Sequence, residues 1–204
     1  EYCLEIQEPR GARHLQAGEP MPRIRRLARC RFLPYAEVLR ASPPTGVVWI
    51  DVSSAAAPPL DQLCPDYPHG GIPIPGMPDR TADSVEGIWQ GLKVIRGRTA
   101  PRFFEGRGRK RAGMPSGHKF GNSKRLLGLV DARRKIYIPA YRWTLDHRVD
   151  PDILNLFIHR AFCGIPQYFY DREDNGLVGK DQPLAHARLL VDHLNQRIDE
   201  WLGG

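Results

Sequence analysis

Three polar side chains in one short run, DSVEGIWQGLKVI (83–95), have the types and spacing to serve one small site. Glu86, Gln90 and Lys93 recur at i, i+4 and i+7, which on a helix confines them to a wedge of about 60°. Glu86 and Lys93 then stand about 10 Å apart along the axis, at 1.5 Å per residue. A carboxylate, an amide and an amine on one stripe, bordered by the Trp89 indole, make a pocket wall fit for proton or charge chemistry. Plainer roles are open to the same residues. Asp83 and Glu86 have the D-x-x-E spacing of a capping box. Lys93 lies where a cation suits the C-terminal end of a helix dipole.

The elements that must position this stripe can be read outward from it. Val85, Ile88, Trp89 and Leu92 fall at i, i+3, i+4 and i+7, so the helix expected over TADSVEGIWQGLKVI buries that face. Upstream, GVVWIDVSS (46–54) is rich in β-branched and aromatic residues and predicts a strand. Between them lies a Pro- and Gly-dense loop with a brief extended piece at Ile72–Ile74; loops of this length inside a domain tend to be functional. Residues 96–123 are basic and Gly-rich, without a period. KRLLGLVDARR (124–134) predicts a helix, and KIYIPAYRWTL (135–145) alternates as a strand whose far end bends at Pro139. DPDILNLFIHRAF (150–162) predicts a helix with Asp150 as N-cap and Pro151 at its first position. GIPQYFYD (164–171) predicts a strand, and PLAHARLLVDHLNQRIDEWL (183–202) a long amphipathic helix. Residues 1–45 hold a possible strand at YCLEI and a short helix at PYAEVLRA. They are expected to form an N-terminal arm or extra layer, leaving 46–204 as the main domain. The mixed order predicts the α+β class.

The chain of 204 residues carries net charge +7 and a pI near 9.5. Much of the excess sits in PRIRRLARCR (22–31) and between Arg96 and Arg111, which favours anionic partners. Four scattered cysteines, Cys3, Cys30, Cys64 and Cys163, form no CxxC pair, so neither a zinc site nor a disulfide framework is expected. His186 and His193 stand at i, i+7 without a third ligand at fitting spacing, and no metal or cofactor is called for. No apolar run reaches the roughly 18 residues of a membrane helix. EYCLEIQEPRG lacks the basic flank and apolar run of a signal peptide. A cytoplasmic protein without a membrane partner is the expectation.

V-E-G-I-W-Q-G-L-K resembles the S-E-H-x-x-Q-A-x-K helix signature of the NADAR family. Glu86, Gln90 and Lys93 match it, and Gly87 stands where the family has His. APRFFEGRGRKR is similar to that family's P-x-x-A-x-x-x-G-R segment, HKFGNSKRLLGLVDAR to its K-F helix, and YFYDREDNGLVGKDQPLAHARLLVDHL to its closing element. The Ser-Asn-Phe loop motif and the closing Trp are absent. The resemblance implies a small α+β N-glycosidase that cleaves a ribose C1–N bond in an ADP-ribosylated or phosphoribosylated base. It makes Glu86 the carboxylate that stabilises the positive anomeric carbon. Asp171, with Glu173 and Asp174 beside it, supplies candidates for a second acid. Lys93 is either a Schiff-base amine, if desolvation lowers its pKa, or an electrostatic anchor. Arg107, Arg109, Lys110 and Arg111 are candidate phosphate clamps, extended by His118 and Lys119. Trp89, Tyr141, Trp143 and Tyr170 are available as an aromatic shelf, and His186 follows the acidic loop into the same region. Two rival expectations remain: a binding module that holds ADP-ribose or nucleic acid without cleaving it, and a DNA-binding accessory protein.

Overall fold

The computed structural model describes residues 27–203. The YCLEI segment, Cys3 and the first half of PRIRRLARCR lie outside these residues. Strand β1 (Arg31–Phe32), the short helix α1 (Tyr35–Val38) and strand β2 (Val48–Asp51) come first. A hairpin of β3 (Ile72–Ile74) and β4 (Met77–Ala82) leads into helix α2 (Val85–Leu92). Strand β5 (Lys93–Val94) pairs antiparallel with β6 (Gly117–His118). Helix α3 (Leu129–Ala132) runs through a wider π turn at Arg133–Tyr137 into α4 (Ile138–His147). Helix α5 (Pro151–Phe162), strand β7 (Gln167–Tyr170) and helix α6 (His186–Gly203) complete the chain. The architecture is α+β, and no described helix is long and apolar enough to cross a membrane.

Strand β7 is the middle of a parallel three-stranded sheet, with β1 on one side and β2 on the other. Phe169 faces Phe32 and Ile50 in register and is fully buried. Residues 31–32, within the stretch expected to be an arm or extra layer, thus belong to the central sheet. Helices α5 and α6 pack on β7 and on each other. The core joins Ile50, Val52, Ile88, Leu92, Ile136 and Leu190 from strand, loop and helices alike.

Two expectations are corrected here. KIYIPAYRWTL is helical, not a strand. Ile136, Ala140, Tyr141, Thr144 and Leu145 are its buried residues, a helical period that the short Ile-Tyr-Ile alternation masks. Pro139 is tolerated because it sits in the first turn of α4, immediately after the π turn, where no regular hydrogen bond is lost to its missing N–H. The helix expected over 124–134 starts only at Leu129, because Leu127 instead pairs with His118 as an added bridge on β6. Asp150 caps α5 as expected, accepting from the Asp152 N–H at 3.0 Å.

Candidate functional site

Helix α2 is shaped by what lies against it. Ser84, not Asp83, is its N-cap: the Ser84 Oγ accepts from the Gly87 N–H at 3.1 Å. Asp83 turns away, and its carboxylate accepts from the Gly106 N–H at 2.6 Å. The expected Asp83–Glu86 capping box is therefore replaced, which leaves the Glu86 side chain free of that duty. The 3-10 turn Pro101–Phe104 packs flush against the helix. A Cβ at Gly87 would lie 2.4 Å from the Phe103 carbonyl oxygen, and one at Gly91 2.2 Å from the Phe104 ring. These contacts leave no room for a His after Glu86. The helix ends at Leu92, one residue earlier than the stripe requires. Lys93 has extended geometry and pairs with His118 in the β5–β6 ladder.

The stripe nevertheless opens into one cleft of about 570 Å³. Glu86, Trp89, Gln90 and Lys93 line it together with His118, Tyr137, Asp171, Glu173 and His186. Glu86 is half-buried. Burial raises its pKa above the ordinary 4.5, against the opposing pull of the Gln90 hydrogen bond and the Lys93 and Lys110 charges. Gln90 holds it in place: the Gln90 amide nitrogen donates to Glu86 Oε1 at 2.6 Å, and the amide oxygen accepts from the Arg111 N–H at 3.1 Å. Gln90, expected to bind substrate, thus spends its amide on positioning the carboxylate and the basic segment. Glu86 Oε2 has no hydrogen-bond partner among the described residues. Lys93 is half-buried, and desolvation lowers its pKa although the Glu86 charge raises it. Its ammonium lies 5.9 Å from the centre of the Trp89 ring.

His118 is 2% exposed and stacks on Trp89, ring centres 3.9 Å apart. Neither ring nitrogen has a partner among the described residues. Burial and the nearby Lys93 charge push its pKa down to about 4, so its imidazole is neutral at physiological pH. Tyr137, which no sequence argument singled out, faces Trp89 edge-on at 5.5 Å.

Asp171 sits at the end of β7, 1% exposed. Its Oδ2 lies 2.9 Å from His186 Nδ1 and accepts from the Ala187 N–H, while Oδ1 accepts from the Glu173 N–H at 2.7 Å. Burial opposes its charge, but His186 and the backbone donors outweigh burial and hold the pKa below 3.8. His186 Nε2 lies 2.7 Å from the Val52 carbonyl oxygen, which only accepts. Both imidazole nitrogens therefore donate, and Asp171 overcomes burial to raise the His186 pKa above 6.5. The expectation of Asp171 as a second catalytic acid is corrected by this geometry. Both its oxygens are engaged by N–H donors, and it anchors a buried imidazolium at the N-terminus of α6, where an anion is favoured.

The remaining expected residues divide. Arg107 is exposed and makes a two-pronged pair with Asp66, at 3.1 and 3.2 Å. Arg109 is exposed and outside the cleft lining, and the Lys119 ammonium donates to the Ser123 carbonyl. Lys110 and Arg111 do reach the cleft, but the Arg111 guanidinium is engaged by the Lys93 and Arg98 carbonyls at 2.7 and 3.0 Å. Tyr141 is 1% exposed beneath the cleft, with its hydroxyl donating to the Leu63 carbonyl at 2.7 Å, so it is a core residue rather than a shelf. Trp143 stacks on His147 instead, and Tyr170 on Tyr35. Arg133, which the sequence did not mark, is 3% exposed and gathers the loop after β7 through the Val178, Lys180 and Gln182 carbonyls.

No curated protein and no solved structure matches the chain significantly. The model of a family of unknown function, DUF6939, matches residues 34–190, and with most of its length covered the chain belongs to that family.

Proposed function

We propose that the cleft hydrolyses the N-glycosyl bond between a ribose C1 and a nucleobase nitrogen in an ADP-ribosylated or phosphoribosylated base. The observation that carries this reading is Glu86: a carboxylate held by Gln90 through one oxygen, with the other oxygen unpartnered among the described residues, in a cleft it shares with the half-buried Lys93. As the C1–N bond lengthens, the sugar gains positive charge, and a fixed carboxylate in a partly dry site stabilises it. Water then adds to C1, the electron pair of the broken bond stays on the base nitrogen, and a proton from the water reaches the base. Glu86 takes the orienting role toward that water. Lys93 anchors the sugar or captures its opened aldehyde as a Schiff base, for which a lowered pKa supplies the free amine. Trp89 and Tyr137 form the wall on which a base can rest, and Lys110 contributes charge toward phosphate at the rim. A cleft of about 570 Å³ is of the size that encloses a nucleotide-scale ligand. The Glu86, Gln90 and Lys93 match to the NADAR helix supports the same assignment.

The test is chromatographic detection of ADP-ribose released from ADP-ribosylated guanosine and from an ADP-ribosylated oligonucleotide. Wild type should release it, and Glu86→Gln should be at least about 100-fold slower. The acidic limb of the rate profile should fall above pH 4.5, because Glu86 must be ionised and its pKa is raised. Borohydride trapping should add the sugar mass to wild type and not to Lys93→Ala if the amine acts covalently. Tight binding without release by either protein would turn the cleft into a reader of ADP-ribose. Neither binding nor release would remove the glycosidase reading.

A further inference from the structure

The largest share of this protein's positive charge lies in one segment. Residues 96–125 contain ten Lys and Arg and one acid, Glu105, for a net +9, whereas the whole chain is +7. The rest of the molecule is therefore net −2. Seven of the ten cations are Arg, the side chain whose planar fork matches phosphate. Arg96, Arg98, Arg102, Arg109, Lys124 and Arg125 are exposed, and none makes an ion pair among the described residues.

The fold gives this charge a defined layout. Lys93 pairs with His118 and Val94 with Gly117, so β5 and β6 run antiparallel. The turn at Arg96–Arg98 leaves one end of that ladder, closed by the Ile95–Arg98 bridge. The loop holding Lys124 and Arg125 leaves the other end, where the Lys119 N–H donates to the Leu92 carbonyl and Leu127 returns to His118. The strap at 106–111 runs beside the ladder, fixed by the Gly108 N–H on the Asp66 carbonyl and by Arg111 on the Lys93 and Arg98 carbonyls. The exposed cations are thus spread along the ladder and its two ends rather than gathered at one point. They suit a ligand that carries phosphates in a row. Trp89 stands in the cleft wall beside the ladder, available to stack one base.

We propose that residues 96–125 form a backbone-binding track for single-stranded nucleic acid, leading along the β5–β6 ladder to the cleft. This goes beyond the glycosidase reading and does not depend on it. A membrane surface is the poorer fit: the segment holds no amphipathic helix, and Met114 is its one exposed large hydrophobic residue. In a single-strand site each neutralised phosphate contributes about −0.7 to the salt slope. Contact with about five phosphates gives a slope near −3.5, a loss of roughly 100-fold in affinity between about 50 and 200 mM salt.

The experiment is fluorescence anisotropy of the full chain with a labelled, unmodified oligothymidylate of about 16 nucleotides. The expected result is that steep salt dependence. The triple variant Arg96→Gln, Lys124→Gln, Arg125→Gln should lower the slope by about 2 and weaken binding at least tenfold at low salt, with an unchanged melting temperature. A slope that stays the same in the variant overturns the proposal, as does the absence of binding at low salt. Vesicles of equal parts phosphatidylcholine and phosphatidylserine that capture the protein more tightly than the strand overturn it in favour of a membrane. The strand carries no scissile glycosyl bond and hydrolysis is not read, so this track and the glycosidase reading can fail separately.

Discussion

Replacing Asp171 by Asn should reverse the sign of part of the protein's pH dependence of stability. Three N–H donors meet the two oxygens of Asp171: His186 Nδ1, the Ala187 amide and the Glu173 amide. Asn offers one oxygen and brings an N–H₂ group against a donor. It also leaves the His186 imidazolium buried without its counter-charge. Removing one member of a buried pair costs about 3–5 kcal/mol. At about 2–4 °C per kcal/mol for a chain of this size, the melting temperature should fall by roughly 6–20 °C. The pH profile is the sharper reading. The folded pKa of Asp171 lies below 3.8, so its contribution is present above pH 3.8 and fades as pH falls through the folded value. The folded pKa of His186 lies above 6.5, so its contribution is full below pH 6.5 and is lost as pH rises through the folded value. The pair stabilises most between these limits and less on either side. In Asp171→Asn the buried His186 prefers its neutral form, and stability through this site falls as pH drops below 6.5 instead. Thermal melts by circular dichroism at about pH 5.5 and pH 8.5, wild type against variant, measure the difference. Parallel profiles with a shift under about 2 °C would falsify the assignment of a buried imidazolium pair.

Three further outcomes test the surroundings of the cleft. A Cβ on Gly108 would lie 2.5 Å from Glu86 Cβ and 3.1 Å from the Asp66 backbone, so Gly108→Ala should displace the strap, cost about 1–3 kcal/mol, and speed tryptic cleavage after Arg107 and Arg109. Tyr141→Phe removes the donor to the buried Leu63 carbonyl and should cost about 1–3 kcal/mol in urea titration; unchanged ligand affinity is expected, and a large affinity loss would return Tyr141 to the binding surface. Of the three described cysteines, exposed Cys163 should react with dithionitrobenzoate in the native state. Buried Cys30, its pKa raised by burial to about 12, and Cys64, raised by burial as well, should react only on unfolding.

The parts of this structure legible in the sequence are those decided by neighbours in the chain. Strands β2 and β7 follow from dense β-branched and aromatic runs, and α5 from its Asp150–Pro151 start. Glu86 and Lys93 share a cleft because a few residues of local geometry put them there. The errors arise where distant contacts decide. The segment 135–145 has too short an alternation to outweigh the π turn that Arg133 begins and the core that accepts Ile136 and Tyr141. Tyr137 was missed for the same reason, since a strand places it differently. Asp171 looked like one more acid in YDRED. Its pairing with His186 arises only where the end of β7 meets the start of α6, and no spacing rule in the sequence encodes that meeting.

Two acid–base pairs line the same cleft, and their hydrogen bonding separates their roles. Every oxygen of Asp171 and every nitrogen of His186 is engaged, so protonating or deprotonating either breaks an existing network. Such a pair resists proton transfer and holds shape. On the opposite footing stand Glu86, with one oxygen unpartnered among the described residues, Lys93, whose ammonium lies 5.9 Å from the Trp89 ring centre and makes no hydrogen bond among the described residues, and His118, with two bare ring nitrogens. Buried polar groups without partners cost free energy unless something completes them. Here the incomplete groups are clustered on the wall formed by α2, β5 and β6, while the complete ones lie on the wall formed by β7 and α6. A ligand that supplies an electron-poor centre for Glu86 and polar atoms for Lys93 and His118 recovers that cost only on the first wall. On the proposed glycosidase reading, chemistry therefore belongs to α2 and the β5–β6 ladder, and the Asp171–His186 pair fixes the wall against which the ligand would be held.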